Sequence, residues 1–412
     1  MIVRFDLNPE ELRHLQVGPL GPHVESFAAL LSRQGYCRNN GWQKIRLAAD
    51  LGRWLQQKDI GLRQLDEQRV SVFFQARYKR VSRHSGDQAT MTLLIQHLRQ
   101  SHVIPVPPPP AARNDIEVIE RDYGNFLLQE RSFVPASVGQ YVPAARRFLF
   151  HRFPSGRVRL KKLRAKDITD FVLHDSANRG RRSLQLTAAV LRSFLNFLFQ
   201  HGRIESNLAA AVPAVAGWRL SELPRYLEAT QVEKILRCCD RRRKIGKRDY
   251  AILLLLARLG LRAGEVAYLT LDDINWQAGE LLIRGKGARV DRLPLLEDVG
   301  QALVDYLQKA RPVCSSRRVF IQKHAPHEGL AGPSSIDNVV RVGLARAQIF
   351  SRHQGAHVLR HSLATRMLGN GASLGQIGQV LRHKLPQTTE IYAKVNLNAL
   401  RGLVLPWPGG VQ

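Results

Sequence analysis

The sequence predicts a mainly α-helical protein: two N-terminal helical bundles, followed by an α+β domain with a small β-sheet. Three observations support this fold class. Apolar residues recur three and four positions apart through most of the chain, and polar capping residues precede these runs, as is typical of amphipathic helices. A run of prolines interrupts the pattern after the first hundred residues. One stretch of alternating apolar residues around a Gly-Lys-Gly tip, at 279–295, is typical of a β-hairpin.

The domain boundaries follow from proline and glycine. Consecutive prolines favour an extended spacer and cannot continue a helix. A second break covers 212–224, where Pro213, Gly217 and Pro224 interrupt the helical pattern. The sequence therefore predicts an N-terminal helical domain at 1–104, a proline linker at 105–110, a second helical domain at 111–217, a larger domain at 224–400 and a tail at 401–412.

The two helical segments on either side of the linker resemble each other. Asn40 aligns with Ser137 and Leu51 with Phe148 at one common spacing, and 65–73 aligns with 163–171 after one inserted residue. The pattern predicts a duplicated helical bundle, with Asn40 and Ser137 as N-caps. Because few residues are identical, common helical patterning is the alternative explanation.

The last part of the chain combines helices with the hairpin. The hairpin tip is Gly285-Lys286-Gly287, which a glycine-rich backbone turns easily. The same periodicity predicts helices at 230–239, 247–259, 297–309, 335–347, 356–369, 373–381 and 388–395.

The charge indicates a polyanionic partner. Sixty-two Lys and Arg against 34 Asp and Glu give a formal net charge of +28, and 44% of the residues are hydrophobic, enough for packed cores. Nucleic acid is the first expectation and an anionic membrane surface the second. The most apolar run, 251–257, is far shorter than the roughly 20 residues of a spanning helix, and acids near the N-terminus do not fit a signal peptide. The four cysteines have no metal-ligand spacing. We therefore expect a cytoplasmic protein without membrane association or cofactor.

Cationic side chains and one tyrosine collect in three stretches of the last part: 260–269, 357–365 and 381–392. Arginine forks hold phosphate oxygens bidentately and keep their charge, which favours a transition state with charged non-bridging oxygens. Nearby cations are expected to lower the pKa of a tyrosine, which makes it a better nucleophile. A lysine such as Lys286 can protonate a leaving sugar oxygen, and histidines can transfer protons. The set predicts metal-free phosphoryl transfer from a phosphodiester to Tyr392.

At these positions the sequence resembles the tyrosine recombinase (phage integrase) family. The resemblance covers 224–400, and 111–217 looks like the family's helical (SAM-like) core-binding domain. Arg382 stands where many members have glycine. The resemblance implies Glu265 and His361 as supporting residues. It implies a catalytic set, in the family's order, of Arg262, Lys286, His357, Arg360, His383 and Tyr392.

The same resemblance implies a reaction and its partners. Tyr392 would attack a DNA phosphate and form a 3′-phosphotyrosyl link with a free 5′-hydroxyl, which then attacks back on a partner strand. Four protomers would hold two double-stranded recombination sites, with other recombinases of the same mobile element as further partners. A catalytically silent DNA-binding relative and a type IB topoisomerase are the alternative functions.

Other interpretations remain for some of these residues. His353, His357 and His361 share one helix face at a spacing that a zinc site could use, although Arg360 lies among them. Lys286 could be an ordinary turn lysine. Several basic residues are either a solvated surface or phosphate contacts in a DNA channel. These candidate DNA contacts are Lys161, Lys162, Arg181, Arg182, Arg241, Arg242, Arg243 and Lys244.

Overall fold

The computed structural model of the chain describes residues 15–16, 18–107, 114–215, 226–285 and 290–395. The chain forms two compact units. One unit combines Met1–Val106 with Glu222–Gln412, and the other is Pro107–Ser221. Among the described residues, no helix is both long and apolar enough to cross a membrane.

In its described part, residues 15–16 and 18–107, the first helical bundle contains four α-helices around its own hydrophobic core. Phe27, Leu31, Ile45, Leu51 and Met91 are fully buried in it. Its third helix begins where the Asp66 carboxylate accepts a hydrogen bond from the Arg69 amide at 2.8 Å. The helices are α1 (Gly21–Arg33), α2 (Arg38–Gln57), α3 (Glu67–Arg77) and α4 (Asp87–Gln100).

One turn of this bundle contacts the last part of the chain. The Gln34 carbonyl, just after α1, accepts a hydrogen bond from the His327 amide at 2.8 Å. Gly35 has a φ of 81°, and a Cβ there would lie 2.1 Å from Cδ2 of His327. The close approach therefore requires glycine. Nothing in the sequence pattern indicated this contact.

The second compact unit is also helical. Tyr123, Phe148, Phe171 and Phe194 pack in its core, and the Tyr123 hydroxyl donates to Ser193 Oγ at 3.0 Å. A π-helical turn at Phe126–Glu130 follows its first helix. The helices are α5 (Asp115–Asn125), α6 (Pro135–Arg152), α7 (Ala165–Asn178) and α8 (Arg181–Gln200).

The two bundles share part of their burial pattern. The aligned residues Leu51 and Phe148 are both fully buried, in α2 and α6 respectively. The predicted N-caps Asn40 and Ser137 are wrong, because these helices begin at Arg38 and Pro135 and both residues lie inside the first turn. The duplication itself stays a prediction.

The last part of the chain contains a three-stranded antiparallel sheet in the order β1-β2-β3. Strands β2 and β3 pair with Ile283 opposite Asp291, which confirms the predicted hairpin, and the short β1 adds an edge that the sequence analysis missed. The tip residues 286–289, with Lys286, lie outside the described residues. The strands are β1 (Ile274–Asn275), β2 (Glu280–Arg284) and β3 (Val290–Pro294).

Helices surround α10 (Lys244–Leu259), whose residues 251–257 are all buried at the centre of the largest core. It contacts the helices Glu297–Lys309, Pro333–Arg346 and His357–Gly369. The helices of this part are α9 (Ala229–Arg237), α10 (Lys244–Leu259), α11 (Ala263–Tyr268), α12 (Glu297–Lys309), α13 (Pro333–Arg346), α14 (His357–Gly369) and α15 (Leu374–Val380).

The end of the described chain differs from the sequence prediction. Instead of an α-helix at 388–395, two 3₁₀ turns follow, at Pro386–Thr388 and Glu390–Val395. They pack on a small separate core of Leu363, Ile377 and Leu381 that includes Tyr392. This predicted helix is therefore wrong, because the amides of Thr388, Thr389 and Tyr392 donate to carbonyls three residues earlier, which is the spacing of a 3₁₀ turn and not of an α-helix.

Candidate active site

Arg262 lies at the N-cap of α11, immediately after the turn that ends α10. Glu265 fixes it twice: Oε2 accepts from the Arg262 amide at 2.8 Å, and Oε1 accepts from Nη1 at 2.7 Å. The Arg262 side chain remains 40% exposed, whereas that of Glu265 is 6% exposed. The carboxylate thus braces a guanidinium that still faces solvent.

Arg360 lies on α14 and is only 4% exposed. Its two terminal nitrogens donate to the carbonyls of Gly260 and Leu381, so it joins the end of α10 to the turn after α15. Gly260 ends α10 with a φ of 59°, and a Cβ there would lie 2.7 Å from the Leu381 side chain. Burial, together with the nearby Arg262 and Arg382, lowers the pKa of Arg360 to about 10, which still leaves it charged at neutral pH.

Arg382 is part of the same cluster, although the sequence analysis treated it only as a departure from the family pattern. Its Nη2 donates to Glu265 Oε2 at 2.7 Å, and its Nε lies 3.9 Å from Asp291 Oδ2 on β3. Its carbonyl accepts from Arg262 Nη2 at 3.3 Å. The sequence signal that could have found it was a cation at a position where glycine is usual.

Tyr392 is 1% exposed, in the second 3₁₀ turn. Its hydroxyl lies 2.9 Å from Nδ1 of His361, and its ring stacks on His383 with centroids 6.4 Å apart. Burial raises the pKa of Tyr392 to about 12, although Arg360 opposes this. The expectation of a lowered pKa is therefore wrong for this arrangement, because desolvation of the phenolate outweighs the attraction of the cation.

The two histidines beside Tyr392 are neutral at pH 7. Burial, followed by the positive charges and histidines around them, lowers the pKa of both His361 and His383 to about 4. Nδ1 of His383 lies 2.7 Å from Oγ1 of Thr389, which orients the ring. A neutral imidazole has one unprotonated nitrogen, so in the tautomer with the proton on Nε2, Nδ1 of His361 can accept a hydrogen bond from the Tyr392 hydroxyl.

Two further predicted site residues are His357 and Lys286. His357 is exposed at the first position of α14, with its ring centroid 6.2 Å from that of His361. Lys286 lies outside the described residues, but its neighbour Gly285 lines an open cavity of about 980 Å³. Arg262, Arg382, His383 and Asp291 line the same cavity. The structure thus brings Arg262, Glu265, Arg360, His361, His383 and Tyr392 into one connected site.

The prediction that His353, His357 and His361 share one helix face is wrong, because α14 begins at His357 and His353 lies in the loop before it. Within 15–16, 18–107, 114–215, 226–285 and 290–395, no three His, Cys, Asp or Glu side chains are grouped to hold a metal ion. His361 instead turns Nδ1 toward Tyr392.

The candidate DNA contacts lie elsewhere on their units. Arg241, Arg242, Arg243 and Lys244 are exposed at the start of α10, about 24 Å along the helix from its Gly260 end. Arg241 lies over the Tyr250 ring, 4.8 Å from its centroid. In the second unit, Lys161 pairs with Glu205 at 3.4 Å. Lys162, Arg181 and Arg182 are exposed, the last two at the start of α8.

Comparisons with known proteins all identify integrases or recombinases as similar to this chain. Residues 225–398 match the sequence profile described as "Phage integrase family". An integrase/recombinase of Sinorhizobium fredii, y4rA, is 42% identical over 400 residues, 96% of each chain. Tyrosine recombinase XerD of Listeria monocytogenes is 28% identical and covers 66% of this chain and 93% of XerD. The solved structure of the XerH site-specific recombinase bound to a palindromic difH substrate shares the fold, with a TM-score of 0.55, 16% identity and coverage of 86% of this chain and 94% of XerH.

Proposed function

Because this chain belongs to the phage integrase family of tyrosine recombinases, and is thus a site-specific enzyme that cleaves and rejoins DNA, we propose that Tyr392 is its nucleophile. The observation that carries the proposal is the position of α14. From one helix, Arg360 reaches the backbone beside Arg262 and Arg382, and His361 reaches the Tyr392 hydroxyl. Two neighbouring residues of α14 therefore connect the arginine cluster to the Tyr392 hydroxyl.

In the proposed cleavage step, Tyr392, His361 and Lys286 account for the new bond and for both proton transfers. The Tyr392 oxygen forms a bond to phosphorus while the bond from phosphorus to the sugar 5′ oxygen breaks, leaving a 3′-phosphotyrosyl link. The phenolic proton passes to His361, and Lys286 supplies a proton to the departing 5′ oxygen. A 5′-hydroxyl from a partner strand reverses the step, so the bond energy is kept in the covalent link.

Arg262 and Arg360 stabilise the transition state in this proposal. Their guanidinium groups present fixed donors where negative charge develops on the non-bridging oxygens. His357 and His383 add hydrogen bonds to the same phosphate. With this charge supplied by side chains, the step requires no metal ion and no cofactor.

The described arrangement is a resting one. A hydroxyl on a residue that is 1% exposed cannot meet a DNA phosphate, and burial keeps it protonated. The turn Glu390–Val395 must therefore move when DNA binds, so that the Tyr392 hydroxyl reaches phosphorus while it stays within hydrogen-bond distance of His361. Its small separate core makes such a movement possible without opening the main core.

The partners in this proposal are two double-stranded recombination sites and four copies of the chain, with recombinases of the same mobile element as further candidates. Because the substrate is DNA, the proposed place of action is the cytoplasm. The cited relatives are integrases and recombinases, so neither a catalytically silent DNA-binding relative nor a type IB topoisomerase is favoured. The candidate contacts at 161, 162, 181, 182 and 241–244 would hold the DNA backbone without reading its sequence.

Covalent capture from a random DNA library tests the proposal for any target sequence. The full chain is mixed with nicked duplexes that carry a randomised segment, and DNA that stays attached to denatured protein is sequenced. We expect enrichment of one site and adducts at Tyr392, also in excess EDTA. Tyr392→Phe removes one oxygen and no cation, so it should bind the enriched duplex and yield no adduct. An adduct in Tyr392→Phe, or strict dependence on a divalent ion, would overturn the mechanism.

A further inference from the structure

Arg382 occupies a backbone conformation that favours glycine. Its φ is 55°, in the left-handed region, where the Cβ of any residue other than glycine is crowded. The backbone conformation of Arg382 is therefore less favourable in free energy than it would be for glycine. A side chain that is held there, only 6% exposed, must be stabilised by its own contacts.

Those contacts connect Arg382 to Arg262 through Glu265. Glu265 Oε2 accepts from both the Arg262 amide and Arg382 Nη2, while Oε1 accepts from Arg262 Nη1. One carboxylate thus lies between two guanidinium groups. With Arg262 alone, Glu265 would cancel the charge that it braces. With Arg382 included, the three side chains keep a net charge of +1 beside the phosphate position.

The contacts of Arg382 do not fit direct phosphate binding. The guanidinium of Arg382 is directed at protein groups: Nη2 at Glu265, Nη1 at the Val380 carbonyl at 3.3 Å, and Nε toward Asp291 at 3.9 Å. Arg262, by contrast, is 40% exposed. Asp291 lies on β3, the strand that follows the tip with Lys286, so Arg382 also connects the hairpin to the arginine cluster.

We propose that Arg382 is a positioning residue for strand cleavage, which holds the Glu265 carboxylate so that it orients Arg262 without neutralising the site. This role rests on the proposed function. Arg382 acts through Glu265 and through its own carbonyl, which accepts from Arg262 Nη2. It compensates the carboxylate charge that a glycine at this position would leave to Arg262 alone.

The titration of Glu265 gives a readout that does not depend on DNA chemistry. Burial raises the pKa of Glu265, but Arg382 and Arg262 outweigh it and lower the pKa below its usual value. The other titratable groups near this cluster are Arg360 on α14, Asp291 on β3 and His383 in the same turn. Removing Arg382 should therefore raise the pKa of Glu265.

The first experiment measures that pKa by carboxyl ¹³C NMR in the full chain, with Glu265→Gln to assign the signal. Arg382→Gly suits the left-handed backbone and should fold, as a thermal unfolding curve will check. We expect the Glu265 titration to move to higher pH in Arg382→Gly and to return toward the original in Arg382→Lys. An unchanged titration in Arg382→Gly overturns the inference.

The second experiment uses the duplex enriched by covalent capture, at saturating concentration. We expect Arg382→Gly to cleave about 10- to 100-fold more slowly, as misplaced groups do, with partial recovery in Arg382→Lys or with added guanidinium. The acidic limb of its pH–rate profile should move up, and Glu265→Gln should abolish that shift. Lys384→Ala, which removes an exposed cation from the same cavity, should weaken binding without this shift.

The experiments distinguish failure of the proposed function from failure of the positioning role of Arg382. A wild-type chain that forms no adduct overturns the proposed function, and the role of Arg382 in cleavage with it. A wild-type chain that cleaves, with Arg382→Gly cleaving at the same rate and the same pH dependence, overturns the positioning role alone.

Discussion

The arginine cluster and the tyrosine segment of the same site differ in how they are held. Arg262, Arg360 and Arg382 are fixed by Glu265 and by backbone carbonyls on the ends of α10 and α15. Tyr392 lies on a 3₁₀ turn with its hydroxyl against His361 and its ring on a small core. In the proposed reaction, the phosphate-binding side is thus preorganised and the nucleophile is withdrawn. On this proposal, charge stabilisation is built into the fold, whereas attack requires a local movement.

The largest effect should come from the preorganised side. Arg360→Ala and Arg262→Ala should each slow single-turnover cleavage on the order of 10²-fold or more, because each removes a transition-state donor. Arg360→Ala also leaves the Gly260 and Leu381 carbonyls without their donor, so it should lower the thermal unfolding temperature more than Arg262→Ala does. Equal unfolding temperatures, or cleavage rates within a few-fold of wild type, would contradict the preorganised cluster.

The withdrawn side predicts a pH-dependent effect of His361. His361→Ala should slow cleavage about 10²-fold at neutral pH, where the phenol needs a proton acceptor. The deficit should shrink as the pH approaches 10, because hydroxide then supplies the phenolate. Rates of adduct formation across this range measure it. A constant deficit at every pH would mean that His361 acts only by packing against Tyr392.

The buried histidines also predict a dependence of stability on pH. The folded pKa of His361 and of His383 is about 4, below the ordinary value near 6.5. Their contribution to the free energy of unfolding is therefore complete above about pH 6.5 and decreases as the pH falls toward 4. Urea unfolding of His361→Gln should show a smaller decrease over this range than wild type. His102→Gln, at a residue exposed in the first bundle, serves as the matched control and should follow wild type.

The smallest effect on cleavage should come from the first helical bundle. We expect that deletion of 1–104 leaves covalent cleavage intact but shortens the protected DNA region. It should also flatten the plot of log affinity against log salt by about 0.9 for each phosphate that the shortened chain no longer neutralises. Footprinting and binding at several salt concentrations measure this. An unchanged footprint and slope would assign the bundle to assembly or folding, in line with its contact between Gln34 and His327.

Much of the fold and of the candidate site could be predicted from local sequence. The order and type of the site residues, the helical patterning, and the hairpin with its glycine-rich tip are properties of short segments, and periodicity or turn chemistry reports them directly. The family and its reaction class followed from the same segments. The predicted fold class is confirmed, although β1 was missed because a strand of two residues is too short to show an alternating pattern.

The remaining features depend on long-range contacts and burial, which have no local sequence signal. Arg262 and Arg382 meet around Glu265 although 120 positions separate the two arginines. The pKa of Tyr392 depends on whether burial or cations prevail, and the fold buries the ring, so the phenol stays protonated. The turn at Gln34 meets His327 through backbone atoms, which side-chain patterns do not report. Residue type and order thus identify the side chains suited to the proposed strand cleavage. Tertiary packing determines which of them contact one another and which are buried, because those contacts join residues that are far apart in the sequence.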